Sequence, residues 1–149
     1  MERILNHKDA RVCRAYEVAS IAHRGQVDKA GVDYINHPLT VAANVGEDSS
    51  AIIVALLHDV LEDTPLTIDK LKKEIPLTDD EAQALELLTH DDGIPYLEYV
   101  KRIKSNALAT KVKAADLKHN SDLSRIKNPT PKDFARVEKY KAALNLLNS

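Results

Sequence analysis

The sequence predicts an all-α fold, a compact helical bundle of about eight helices, on three observations. Apolar residues recur at helical spacing over almost the whole chain. Glycine is scarce, with only four among 149 residues. No run of alternating β-branched residues is long enough to build a sheet. Apolar residues make up 44% of the chain, enough for a core, and the length suits one domain spanning residues 1–149 with no second catalytic or regulatory domain.

The first helix is expected over about residues 8–24, with Val12, Ala15, Val18, Ala19 and Ala22 on its apolar stripe. "RGQVDKAGVDYIN" (24–36) reads as a loop, with turn freedom from Gly25 and Gly31. A short helix in "HPLTVAANVG" opens at Pro38 and closes at Gly46. "SSAIIVALLHDVLED" (49–63) reads as one helix capped by Ser49 or Ser50, apolar nearly all round, and stopped by Thr64-Pro65. "TIDKLKKEI" follows with Thr67 as its cap, and "TDDEAQALELLT" carries the capping-box pair Thr78 and Glu81. "YLEYVKRIKS" and "NALATKVKAADLKHNSDL" supply two more helices. After the turn in "KNPTPKDF", the helix "PKDFARVEKYKAALNLL" ends the pattern.

Composition excludes several classes. The net charge of −2 does not suit a general nucleic-acid binder. The single cysteine, Cys13, forms no internal disulfide; it reads as a small core residue and fits a reducing cytoplasm. No run approaches the ~20 apolar residues of a membrane span, and the N-terminal segment has no stretch of signal-peptide length.

The charged end of the most apolar helix asks for an explanation. Burying unpaired carboxylates beside a core face costs several kcal/mol each, so the acids of "HDVLED" either meet water or meet something positive. On one continuous helix His58, Asp59, Glu62 and Asp63 fall within an arc of about 140°. Imidazole and carboxylate converging on one side suit a divalent metal. His37, before Pro38, and Asp116, on an alanine-rich helix, complete a set of two imidazoles and two carboxylates on three helices. Such a set suits Mn²⁺, Fe²⁺ or Zn²⁺ with positions left open for water and substrate. Asn120, one turn after Asp116, faces the same way. Lys29 is a loop cation available to balance negative charge on a ligand, whereas Lys111 and Lys113 read as a solvated helix face. His90 reads as a loop-edge residue, His119 as a neighbour of the site, and His7 and His23 as surface or packing residues.

The order H…HD…D resembles that of the HD-domain metal-dependent phosphohydrolases. "AHRGQVDKAGVDYINHPLTVA", "ALLHDVLEDT" and "VKAADLKHN" resemble the hydrolase domain of the Rel/Spo-type alarmone enzymes, and still more the stand-alone small alarmone hydrolases. The resemblance implies an HD-type bundle. It implies a metal, typically Mn²⁺, held by His37, His58, Asp59 and Asp116, with Glu62 and Asp63 as the acidic pair that orients or activates the attacking water. It places Asn120 near the substrate sugar and Lys29 and Tyr34 in the substrate loop. The reaction it implies is removal of the 3′-pyrophosphate of guanosine tetra- or pentaphosphate. At two positions the chain departs from the resemblance: Lys118 replaces a common arginine with another cation, and Asp28 stands where the family loop has an arginine that helps hold the base. Asp28 then either faces the base or caps its own turn.

The expected function is a metal-dependent nucleotide pyrophosphohydrolase acting on a small-molecule nucleotide, with oligomeric state left open. One alternative stays in the class, a phosphatase or nucleotidase on another nucleotide such as NADPH, which Asp28 favours. The other is a non-catalytic nucleotide sensor, which the complete set of ligands and acids disfavours.

Overall fold

The computed structural model describes all 149 residues. Ten α-helices follow in order: α1 (Glu2–Leu5), α2 (Ala10–Ala22), α3 (Asn36–Ala43), α4 (Ser49–Leu57), α5 (Val60–Asp63), α6 (Ile68–Glu74), α7 (Asp79–Leu88), α8 (Tyr96–Ile103), α9 (Ala107–Asn120) and α10 (Pro131–Asn148). A short 3₁₀ turn, Leu123–Arg125, links the last two. There is no sheet, only an isolated antiparallel bridge between Val27 and Asp33. Eight of the ten helices answer to expected ones. The other two are the N-terminal turn α1 and α5, which arises because residues 49–63 are not one continuous helix.

Helix α4 is the axis of the core. Every residue from Ala51 to Leu57 is fully buried, and α2, α3, α7 and α9 pack around it. Each buried Leu, Ile or Val contributes roughly 1.5–3 kcal/mol of transfer free energy, so this segment is a large share of the driving force. Its N-cap is Asp48, whose carboxylate accepts from the Ala51 N–H, rather than Ser49 or Ser50. Ser50 is used elsewhere, donating to Glu81. The Thr67 cap and the Thr78–Glu81 capping box form as expected.

The break falls between Leu57 and Val60. His58 keeps helical dihedrals, but its Nδ1 lies 2.6 Å from the Ala55 carbonyl. Asp59 relaxes to φ −100°, ψ −3°. The chain then resumes a single turn and stops at Thr64, extended ahead of Pro65. This re-aims Asp59 and Asp63 relative to an ideal helix. Cys13, expected in the core, is only half-buried, with its thiol 3.6 Å from a Glu17 oxygen. His23, by contrast, is buried.

Candidate metal centre and active site

Three helices deliver the site. His37 lies in the first turn of α3, His58 and Asp59 form the α4–α5 junction, and Asp116 lies in the last turns of α9. All are buried except Asp59, which is half-buried. His37 Nε2 lies 2.8 Å, and His58 Nε2 3.3 Å, from Asp116 Oδ1. Asp59 Oδ2 lies 3.0 Å from His58 Nε2 and 3.6 Å from His37 Nε2. One donor atom from each of the four residues falls within 4.8 Å of the others. Two imidazoles and two carboxylates this close fit a divalent cation.

The groups behind the donors set their chemistry. The Ala55 carbonyl only accepts, so His58 Nδ1 carries a proton and donates to it, and Nε2 is the nitrogen turned toward the centre. His37 Nδ1 lies 2.7 Å from Nδ1 of His119, whose ring stacks on it. Burial opposes charge on His58, but the Asp59 and Asp116 carboxylates outweigh it and hold its pKa well above the usual imidazole range. Burial likewise raises Asp59, yet His58 pulls it down to about 2. Burial opposes ionisation of Asp116 too, and Lys113 followed by the two histidines holds it well below the carboxylate range.

Asp59, Glu62 and Asp63 form a second group of oxygens within 4.8 Å of one another. Their positions differ in kind. Glu62 Oε1 accepts the backbone N–H of His90 at 2.7 Å, so it clasps the loop between α7 and α8. The Asp63 carboxylate has no such backbone partner. Burial, then the charges of Asp59 and Glu62, push its pKa up to about 6.

Two of the remaining predicted residues, Tyr34 and Asn120, also gather here. The Tyr34 hydroxyl donates to Asp59 Oδ2 at 2.6 Å, and Asn120 Nδ2 donates to Asp116 Oδ1 at 3.0 Å. A cavity of about 210 Å³ above the donors is lined by Tyr34, Asp59, Glu62, Asp63, Lys113 and Asn120, among others. Lys29 stands apart, exposed and lining a neighbouring cavity. Asp28 caps its own turn: Oδ1 accepts from the N–H groups of Ala30 and Val32, and Oδ2 accepts from Arg125.

Lys113 corrects the expectation of a solvated face. Its Nζ donates to Asp116 Oδ2 at 2.8 Å and sits 5.3 Å from the Tyr99 ring centroid and 5.9 Å from that of Tyr96. Burial alone would lower its pKa, but Asp116 outweighs that and holds it well above the usual lysine range. The i,i+3 spacing of Lys113 and Asp116 was a sequence signal for this pair. The covering tyrosines of α8 were not. Lys111 is exposed, as expected. His90 is half-buried and stacked on Tyr99, so it belongs to the cavity wall.

A bundle with histidine and aspartate donors on three helices defines a class. The HD domain family model matches residues 15–119, and the chain belongs to that family. A guanosine-3′,5′-bis(diphosphate) 3′-pyrophosphohydrolase of Aquifex aeolicus (strain VF5) is 44% identical over 79 residues, covering 49% of this chain and 11% of the relative. A GTP pyrophosphokinase of Streptomyces coelicolor is 40% identical over 91 residues, 59% of this chain and 10% of the relative. The chain therefore spans about a tenth of the length of these curated relatives. Among solved structures, a metazoan ortholog of SpoT described as hydrolyzing ppGpp superposes with a TM-score of 0.77 at 22% identity, over 97% of this chain and 89% of the other. At that identity the likeness establishes the shared helical fold.

Proposed function

We propose that the protein is a metal-dependent pyrophosphohydrolase that removes the 3′-pyrophosphate of guanosine tetra- or pentaphosphate, giving GDP or GTP and pyrophosphate. The observation that carries this reading is the four-donor centre of His37, His58, Asp59 and Asp116, with the Asp63 carboxylate, its pKa pushed to about 6, in the cavity that Asp59 and Asp116 also line. The names of the relatives support the substrate. The lone thiol fits a cytoplasmic setting, and no helix is long and apolar enough to cross a membrane.

His37, His58, Asp59 and Asp116 would hold the cation, Mn²⁺ in this proposal. When bound, it supplies Lewis-acid polarisation of a phosphoryl oxygen and acidifies a water. Asp63, near neutral in its proton affinity, accepts the proton of the attacking water at a carboxylate oxygen. Glu62 keeps one oxygen on His90 N–H and orients the water with the other. Water oxygen bonds to phosphorus as the phosphorus–oxygen bond to the ribose 3′ carbon's oxygen breaks, and a proton returns to that oxygen. Lys113, tied to Asp116 and lining the cavity, offsets charge on the departing pyrophosphate. Tyr34 and Asn120 hold Asp59 and Asp116 in orientation.

The deciding experiment incubates Mn²⁺-loaded protein with a nucleotide panel and identifies products by mass spectrometry. Guanosine tetraphosphate should yield GDP and pyrophosphate. Consumption of NADPH or another nucleotide in its place would move the protein to the alternative substrate class. Binding without turnover of any member would make it a sensor.

A further inference from the structure

The cavity over the donors continues into a larger one of about 380 Å³, and the two share Tyr34, Asn120 and Tyr140 as walls. The outer cavity joins apolar surface, from Val27 and Ile126, to five charged side chains: Lys29, Arg125 and Arg136 against Asp28 and Asp122.

Arg125 is the built part of this wall. It lies in the 3₁₀ turn after α9, 97 residues from Asp28, yet its Nη2 donates to Asp28 Oδ2 at 2.6 Å. Asp28 is itself fixed, because Oδ1 accepts N–H groups from Ala30 and Val32 at 2.8 and 3.0 Å. Burial works against the Asp28 charge, but those two N–H groups and then Arg125 keep its pKa below the ordinary value. One turn therefore holds a carboxylate, and the carboxylate holds a guanidinium by one nitrogen. The other nitrogens of Arg125 make no hydrogen bond to the protein, and its side chain is 30% exposed.

Polyphosphate suits this cavity poorly. Two of its acids offset two of its three cations, and Arg136 is already paired with Asp133 at 2.6 Å. A flat ring with hydrogen-bond acceptors on one edge suits it better, since apolar walls accept its faces and a planar, pre-positioned guanidinium meets its edge.

We propose that Arg125, held in place by Asp28, is a specificity-determining residue that recognises the purine base of the substrate and selects guanine over adenine. The inference rests on the nucleotide reading above. Guanine offers two adjacent acceptors, O6 and N7, to an arginine; adenine replaces the first with an amino donor that a guanidinium repels. Asp28, which does not reach the base, acts as the positioning residue.

The test is calorimetric binding of GDP and of ADP to metal-free protein, which isolates the base because both ligands carry the same phosphates. Wild type should prefer GDP by about tenfold, the discrimination one good arginine–guanine contact supplies. Arg125→Ala and Arg125→Lys should both lose that preference while ADP binding moves by less than about twofold, because lysine keeps the charge but not the planar fork. Asp28→Asn should lose part of it. If Arg125→Ala does not fold in a thermal melt, Arg125→Lys and Asp28→Asn decide. Equal weakening of GDP and ADP would make Arg125 a phosphate contact and overturn the assignment. Unchanged binding of both, or a wild type without preference, would also overturn it. Hydrolysis of guanosine tetraphosphate by wild type is scored separately. A GDP-selective but inactive protein would sink the proposed reaction and leave Arg125 standing, whereas an active protein indifferent to the base would do the reverse.

Discussion

Glu81 at the start of α7 and Asp63 at the end of α5 are both carboxylates set against the helical core, and their surroundings move their protons in opposite directions. Glu81 is fully buried, and each of its oxygens accepts two hydrogen bonds. Oε1 takes Arg11 Nη1 at 2.6 Å and Thr78 N–H at 2.9 Å; Oε2 takes Ser50 Oγ at 2.6 Å and Arg11 Nη2 at 3.2 Å. Burial would raise its pKa, but Arg11, Ser50 and Thr78 outweigh burial and lower it. Asp63 meets burial with no such set of donors, and the carboxylates of Asp59 and Glu62 add to the rise. One acid ties α2, α4 and α7 together. The other is left hungry for a proton beside a cluster of metal-type donors. A carboxylate that stabilises the fold is satisfied; one suited to moving protons is not, and the fold carries the cost.

The largest break in the comparison comes from the donors themselves. Asp59→Ala should bring metal content, measured by elemental analysis after Mn²⁺ loading, close to zero and abolish turnover while circular dichroism keeps its helical signal. A mutant that binds metal as tightly as wild type would refute the assignment of Asp59. Next in size, Asp63→Asn and Glu62→Gln should each lower kcat by ~10²-fold or more with metal retained. The unequal environments sharpen this: Asp63→Asn removes the group that titrates near 6, so the acidic limb of the kcat/KM profile should vanish in that variant and persist in Glu62→Gln.

Glu81→Ala should act on stability alone. It removes the four hydrogen bonds to Glu81 and leaves Arg11, whose side chain is 24% exposed, with Asp9 and the Pro76 carbonyl as partners. The change should cost ~3 kcal/mol, at the low end for breaking a buried pair because Arg11 keeps those partners and some solvent. Metal binding per folded molecule should be unchanged. The pH dependence of melting gives the sign. The folded pKa of Glu81 lies below 4.5, so its contribution is complete above that value and fades as pH falls through the folded pKa. The melting gap between wild type and Glu81→Gln should therefore close in acid. Asp63 runs the other way. Its folded pKa of about 6 exceeds the ordinary 3.8, so the folded state is penalised as pH rises from 3.8 to about 6. In metal-free protein, Asp63→Asn should melt higher than wild type at neutral pH and equal to it well below pH 4. A lower melting temperature at pH 7 would show that Asp63 is satisfied after all.

The smallest expected effect is that of Asp28→Arg. Loss of the turn bonds and of the Arg125 pair should cost ~1 kcal/mol, lowering the melting temperature by about 2–4 °C. Guanosine nucleotide binding should weaken because two guanidinium groups would then compete for the same space. Tighter binding with an unchanged melting temperature would mean that residue 28 faces the base directly.

Much of this was legible in the chain. Periodicity marked the helices, and Thr67 and the Thr78–Glu81 pair marked helix starts. These are local facts: a helix fixes which residues share a face, and a cap needs only its own first turn. The meeting of His37, His58-Asp59 and Asp116 was legible only through the family resemblance of their order, since they come from three helices. The break at His58 was not legible, because it depends on where the core ends around α4. Nor was the placement of Lys113, which looked solvated until α8 brought Tyr96 and Tyr99 over it. Asp28 is the clearest division. Its turn-capping reading could be weighed from the loop alone, but its hold on Arg125 could not, since the two are 97 residues apart. The sequence by itself determined which side chains lie on which face; only the tertiary structure decided what covers each face, because that cover comes from elements whose positions no local pattern encodes.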